Sequence, residues 1–257
     1  MNKSDWQIPG YTIEFEGNVD QQWCVVIPVI NEGERILSQL GKMKSLAIPS
    51  IADIIIVDGG STDGSLEIGF LKSVGVKSLI VKTGEGALSA QLRCAYGYAL
   101  SRGYQGIITI DGNDKDDSDP IPAFIEELKS GVDFVQASRY LSGGVSENVP
   151  VFRDLAIRLI HAPLLSLFSG FHWTDTTQGF RGYSRRMLED PQVAPFRDLF
   201  LGYELLAYLS YRAPKLGYRC KEVATTRRYP ATGKTPTKIT GLGGNLKLLT
   251  VLIRACL

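Results

Sequence analysis

Four short apolar runs rich in β-branched residues, WCVVIPV (Trp23–Val29), IIIV (54–57), SLIV (78–81) and GIITI (106–110), divide the first half of this chain. Segments with helical apolar spacing lie between them, near 32–45, 65–73 and 88–101, and are followed by a helix near 121–130 and a fifth strand at 132–137. Strands that are apolar on both faces and alternate with helices imply a mostly parallel, Rossmann-like α/β sheet with helices covering both sides. No repeat or low-complexity linker interrupts the 257 residues, so one domain is expected. No GxGxxG follows the first strand, which argues against a NAD-dependent dehydrogenase.

Hydrophobic residues make up 44% and charged residues 21% of the chain, values that exclude a disordered chain and an integral membrane bundle. No segment offers the roughly 20 uninterrupted apolar residues that a membrane span requires, and the N-terminus has no signal-peptide core. A cytoplasmic protein, peripheral at the inner face of the membrane, is expected. Cys24, Cys94, Cys220 and Cys256 form no CxxC pair, and His161 and His172 have no zinc-ligand spacing, so reduced thiols are expected.

The second half is less regular. Residues 153–173 are apolar but interrupted by Pro163 and Gly170, which predicts two short pieces that either pack in the core or lie in a membrane interface. An amphipathic helix near 202–212, a strand near 220–226, a basic loop RRYPATGKTPTK and a C-terminal helix follow. From Arg212 onward ten basic residues face one acid, Glu222. That asymmetry points to an anionic ligand or lipid surface contacted by residues such as Arg227 and Lys234, and the acidic front portion disfavours nucleic acid.

Two segments carry chemistry. IIIVDGGSTDGS ends a strand in Asp58 and places Asp63 at a helix start; the two acids either accept hydrogen bonds from a nucleotide or cap the turn. GIITIDGNDKDDSDP ends a strand in Asp111, followed by Asp114, Asp116, Asp117 and Asp119. Oxygens clustered in this way suit Mg²⁺ or Mn²⁺ on a diphosphate, with Asp111 foremost, whereas 116–119 reads as a flexible acidic loop. The spacing does not match a calcium loop of the EF-hand type.

VVIPVINEGERI, VDGGSTDGS, IDGND, ASRYLSGG and TDTTQGFRGYSRRML, in that order, resemble the family 2 glycosyltransferases of the GT-A fold, in particular the branch of dolichol-phosphate mannose synthase and bacterial polyprenyl-phosphate glycosyltransferases. The resemblance runs from about residue 23 to 238. It implies a nucleotide-sugar-binding half at about 23–139 and an acceptor-side half at about 140–257. It further implies that Pro28, Asn31, Glu32, Asp58 and Asp63 shape the nucleotide site. Asp111 matches the first acid of the DxD element, and Asn113 stands where the second acid usually stands. Either Asn113 ligates through its carbonyl oxygen or Asp114 substitutes. Arg139 and Arg181 match arginines that face phosphates. Asp175, before the family's TSGFR (TQGFR here), and Glu204 match acids that serve as a base or as structural partners, with Asp175 favoured as the base.

The expected activity is inverting transfer of a sugar from a nucleoside-diphosphate sugar to a lipid-linked or saccharide acceptor. A sugar nucleotidyltransferase, or a non-catalytic nucleotide-sugar- or lipid-binding protein, is the alternative. A phosphate acceptor needs no base because it is already ionised; a hydroxyl acceptor does.

Overall fold

The computed structural model describes residues 5–229. Its centre is a sheet in the order β1-β4-β3-β2-β5-β8-β6-β9. The strands are β1 (Tyr11–Glu16), β2 (Trp23–Val29), β3 (Asp53–Asp58), β4 (Val76–Lys82), β5 (Gly106–Thr109), β6 (Phe134–Ser138), β8 (Arg181–Ser184) and β9 (Cys220–Ala224). β7 (Val145–Glu147) and β10 (Thr226–Arg228) form a separate parallel pair. β4, β3, β2 and β5 are parallel, as are β6 and β9, whereas β1 runs antiparallel at the edge and β8 antiparallel between β5 and β6. The mostly parallel sheet is therefore present, with two antiparallel strands, β1 and β8, that lie outside the apolar runs.

The pleat of β2 and β3 explains the two-sided core. Val25, Ile27, Ile54 and Ile56 face one way, onto Ile36, Leu40 and Met43 of α1 (Glu34–Ser45) and Phe124 and Ile125 of α4 (Ile121–Lys129). Val26, Ile55 and Val57 face the other way, onto α3 (Leu88–Ser101) and α8 (Glu204–Lys215). A period of two in the strands thus feeds two layers of helices. α2 (Ile68–Ser73) and α7 (Arg185–Glu189) are short connectors. Buried residues occupy every position of α3 from Ser89 to Leu100, because α8 and the segment before β1 cover the sides the sheet leaves open. Gly97 lets that segment approach: a Cβ there would stand 2.2 Å from Ile8 Cδ1.

The interruption expected at Pro163 is absent. α5 (Val151–Ala156), a π turn over Ile157–His161 and α6 (Ala162–Ser169) form one helical run that ends at Gly170, φ 78°. Proline is tolerated because it falls in the first turn of α6, and the wider turn before it absorbs the missing N–H. Ala162 and Ser169 are buried, while Phe152, Leu155, Leu159, Ile160, Leu164, Leu167 and Phe168 are exposed, Phe152 at 85%. No helix among the described residues is long and apolar enough to cross a membrane. The strand expected near 220–226 is divided at Thr225 into β9 and β10. The expected C-terminal helix and Lys234 lie outside the described residues.

Trp173 closes the core beneath this run. It is buried, tilted against Phe134 and Phe171 at 5.3 and 4.4 Å, and donates Nε1–H to Ser169 Oγ at 3.2 Å. Trp173→Ala is expected to cost about 3–5 kcal/mol, measured by urea denaturation; a loss below about 1 kcal/mol would mean that the 171–173 corner is not part of the cooperative core.

Candidate active site

The parallel strands β2, β3 and β5 end side by side, with Val29 paired to Asp58 and Val26 to Thr109. The crevice beyond such carboxyl ends is where α/β sheets bind ligands. Gln91 of α3 is buried there and donates Nε2–H to the carbonyls of Val29 (2.9 Å) and Val57 (2.6 Å), which ties the ends of β2 and β3 to α3. Past Pro28 the chain turns at Asn31, φ 51°, a conformation asparagine tolerates. Thr62 N–H donates to Asn31 Oδ1 at 2.8 Å, Asn31 N–H to Ser61 Oγ at 3.0 Å, and Gly33 N–H to Asp63 at 2.8 Å. The loops after β2 and β3 are therefore laced into one rim.

Asp58 accepts from the Ser61 backbone (2.9 Å) and hydroxyl (2.6 Å), and Ser65 together with backbone donors lowers the Asp63 pKa. Both acids line an open pocket of about 430 Å³ with Ser61, Leu66 and Ile68, a volume within the range of ligand clefts. Asp58 and Asp63 thus order the turn and face an open pocket at the same place. Glu32, by contrast, is buried and paired with Arg35 at 2.7 Å.

Asp111 lies two residues past the end of β5, and Gly112 N–H reaches back to the Pro28 carbonyl at 3.4 Å. Gly179 of the TQGFR segment is packed against it: a Cβ on Gly179 would stand 2.2 Å from Asp111 Oδ1. The expected ligands do not converge around Asp111. Asp114 is turned to α1, where it takes Lys42 Nζ at 2.7 Å and Ser38 Oγ at 2.8 Å. Asn113 Oδ1 accepts from Lys115 N–H at 3.2 Å. Among the described residues no cluster of three His, Cys, Asp or Glu has metal-binding geometry. Mg²⁺ is commonly held by one or two carboxylates together with substrate phosphates, so Asp111 fits a cation that shares a diphosphate, and the group does not form a complete cage.

The acidic loop is not free. Asp116 is buried and paired with Arg227, Asp117 pairs with Arg228, and Arg228 N–H donates to the Lys115 carbonyl at 2.7 Å. The flexible loop expected at 116–119 is instead stitched to β10. Arg227 also stands 3.5 Å from Asp111. Burial acts to lower the Arg227 pKa, but Asp116 and Asp111 outweigh it and raise it.

Next to this loop the phenol of Tyr229 is surrounded by cations. Lys115, Arg153 and Arg227 lie 5.5–5.8 Å from its ring, and Arg139 Nη1 is 3.5 Å from its hydroxyl. Burial raises the Tyr229 pKa, yet Arg227, Arg139 and Arg153 together bring it below its usual value. Arg139 is held by Asp175 (2.7 Å) and Thr177 Oγ1 (2.8 Å). Asp175 also accepts from Gln178 Nε2 (2.8 Å) and Thr177 N–H (3.1 Å). Burial would raise the Asp175 pKa, but Arg139 and these donors hold it below the usual carboxylate range. A fully buried carboxylate so well supplied with donors orients Arg139 and is not poised to take a proton. Glu222 of β9 accepts from the backbone N–H of Thr174 (2.9 Å) and Asp175 (3.0 Å), so it fixes the segment that carries Asp175.

Two expected site residues serve the core. Arg181 is buried and spends its guanidinium on the carbonyls of Gln178 (2.9 Å), Thr176 (3.0 Å) and Leu206 and on Ser210 Oγ (2.9 Å), because strand β8 places it inside the sheet. Four of its five N–H donors are thereby committed inside the core. Glu204 accepts from Gly202 N–H at 2.8 Å at the start of α8, an acid at a helix N-terminus where it is stabilising. Lys115, Arg153, Glu222 and Tyr229 are site residues the sequence did not single out. Lys115 is hidden in an acidic run, and Glu222 was visible only as the lone acid of a basic tail.

Residues 24–190 match the family described as Glycosyl transferase family 2. The chain is 26% identical over 203 residues to an undecaprenyl-phosphate mannosyltransferase of Micrococcus luteus, covering 78% of this chain and 81% of that protein. It is also 26% identical over 189 residues to a dolichol-phosphate mannosyltransferase of Pyrococcus furiosus, 71% of this chain and 50% of that one. Glucosyl-3-phosphoglycerate synthase of Mycobacterium tuberculosis, solved with Mn²⁺, UDP and phosphoglyceric acid, superimposes with a TM-score of 0.61 at 18% identity over 91% of this chain and 78% of that one. The same enzyme solved with Mg²⁺ and UDP gives a TM-score of 0.61. This likeness establishes the GT-A fold.

Asp175→Asn leaves Arg139 buried without its counter-charge and is expected to cost about 3–5 kcal/mol, read by urea denaturation. Because the folded carboxyl titrates below its ordinary value of 3.8, the stability it supplies is complete above that pH and is lost as pH falls through the folded value. The variant should therefore show a flatter stability profile below about pH 4; an unchanged acid limb would contradict the pair.

Proposed function

The chain belongs to glycosyl transferase family 2, and on that premise we propose that it moves a sugar, with inversion, from a nucleoside-diphosphate sugar to a lipid-linked phosphate at a membrane surface. The observation that carries this choice of acceptor is the group of cations around Tyr229, set between Asp111 and the α5–α6 run. Lys115, Arg139, Arg153 and Arg227 meet there, and guanidinium forks match phosphate oxygens.

The donor's base and ribose occupy the rim formed by Asn31, Asp58, Ser61 and Asp63, and its diphosphate reaches Asp111 just past the end of β5. Asp111 would hold Mg²⁺ or Mn²⁺, which when bound would supply charge neutralisation to the leaving diphosphate. Arg139, fixed by Asp175, and Arg153, at the start of α5, orient the acceptor phosphate so that its oxygen attacks the anomeric carbon from the face opposite the diphosphate. A phosphate monoester has its second pKa near about 6 and is ionised at neutral pH. That removes the need for a base and agrees with an Asp175 already committed to Arg139. The exposed apolar side chains of α5 and α6, from Phe152 to Phe168, supply a surface that lies in a bilayer interface.

The direct test is transfer from a panel of nucleotide sugars to polyprenyl phosphate in vesicles. Asp111→Ala should lower turnover by about 100-fold or more with an unchanged urea midpoint; near-normal transfer would remove Asp111 from the reaction. A protein that binds donor and vesicle but transfers nothing would be a binding protein.

Flotation with anionic liposomes tests the membrane contact separately. Joint Leu159→Glu and Leu167→Glu substitution should lower the bound fraction by about tenfold or more, since each leucine returned from lipid to water costs roughly 1.5 kcal/mol or more. Unaltered flotation would place the contact elsewhere.

A further inference from the structure

Asp111 is the carboxylate at which a divalent cation and the donor diphosphate would meet, yet it already faces a cation. Arg227 Nη2 lies 3.5 Å from Asp111 Oδ2, while Nη1 of the same guanidinium is paired with Asp116. Asp116 is 2% exposed, so that pair anchors one edge of the fork. The other edge is less committed: Arg227 Nε is buried and finds no hydrogen-bond partner among the described residues. A metal ion on Asp111 would stand within a few ångströms of this positive charge, and because Arg227 is buried and Asp111 only partly exposed, solvent screens the repulsion incompletely. The other oxygens that could compensate are engaged, Asp114 by Lys42 and Ser38 and Asn113 by the Lys115 amide.

We propose that Arg227 is the internal counter-cation of Asp111: it keeps a divalent cation off the nucleotide-free site and turns its free edge to the diphosphate when the donor arrives, so that metal and nucleotide bind as one coupled pair. The inference rests on the reading of the chain as nucleotide-sugar-dependent. Diphosphate changes the balance in two ways. Its oxygens accept the guanidinium fork, which releases Asp111, and they add ligands to a cation that one carboxylate holds weakly. Asp116 stays paired throughout, so the exchange requires rotation of a side chain and no separation of the buried pair. Linkage then makes the coupling reciprocal: the nucleotide raises metal affinity by the same factor as the metal raises nucleotide affinity.

The test measures Mn²⁺ binding by electron paramagnetic resonance, with and without a nucleoside diphosphate chosen by thermal shift from UDP, GDP, ADP, CDP and TDP. Three proteins are compared: the natural chain, Arg227→Gln, and Arg227→Gln combined with Asp116→Asn. The double variant removes both members of the buried pair, so no charge is orphaned, and its melting curve reports whether it is folded. Loss of Arg227 should tighten Mn²⁺ binding in the absence of nucleotide by about tenfold, while nucleotide affinity in EDTA falls by a similar factor. Mn²⁺ binding that is unchanged or weaker in the folded double variant overturns the exchange and leaves the glycosyltransferase reading intact. A natural chain that binds none of the five nucleotides with Mn²⁺ present overturns that reading, and this inference with it.

Discussion

A charge withdrawn from water at the end of a sheet must find its counter-charge inside the protein, and the organisation of this molecule follows from that requirement. Arg139 with Asp175 and Arg227 with Asp116 are two such pairs, each nearly without solvent contact. In both, the partners are far apart in sequence and come from different elements. The loop after β5 is thereby tied to β10, and the end of β6 to the segment before β8. The crevice is shaped by these ties as much as by the strands that end in it.

The two halves of the chain contribute differently. The first half supplies a rigid floor, in which Gln91 pins the ends of β2 and β3 and a lattice of short hydrogen bonds joins the loops that follow them. The second half folds over that floor and brings positive charge with it. Glu222 is central to the fit, because its carboxylate receives two consecutive amides of the 174–175 segment. Gly179 can then lie against Asp111 where any side chain would collide. A motif glycine and the acid just past β5 are two sides of one contact.

Much of the floor was legible in the sequence because its signals are local. The apolar run Trp23–Val29 and the helix Leu88–Ser101 have the boundaries that their patterns gave, Asp58 closes β3, and Asp111 lies two residues past β5. What was not legible depended on distant partners. β8 is four residues long and owes its existence to β5 and β6 on either side, so Arg181 read as a phosphate ligand when it is a core donor. Asp114 looked like a metal ligand because Lys42, its actual partner, is one helix position among many until the fold brings α1 to the acidic loop. Lys115 and Tyr229 carry no motif, and they become significant only once four cations are seen around one phenol.

The π turn before Pro163 sets the phase of the helix that follows it. Leu155, Leu159, Leu164 and Phe168 are separated by steps of four, five and four residues, a spacing an unbroken α-helix would spread around its circumference at about 100° per residue. The wide turn over Ile157–His161 takes up the extra residue, so the stripe continues on one side and all four remain exposed. Tightening that turn to α-helical geometry with every residue kept would rotate Leu164 and Phe168 by about 100° away from Leu155 and Leu159, whereas deleting one residue within it would restore a regular helix and leave the stripe in place. An irregularity in the backbone is therefore what keeps the apolar face continuous.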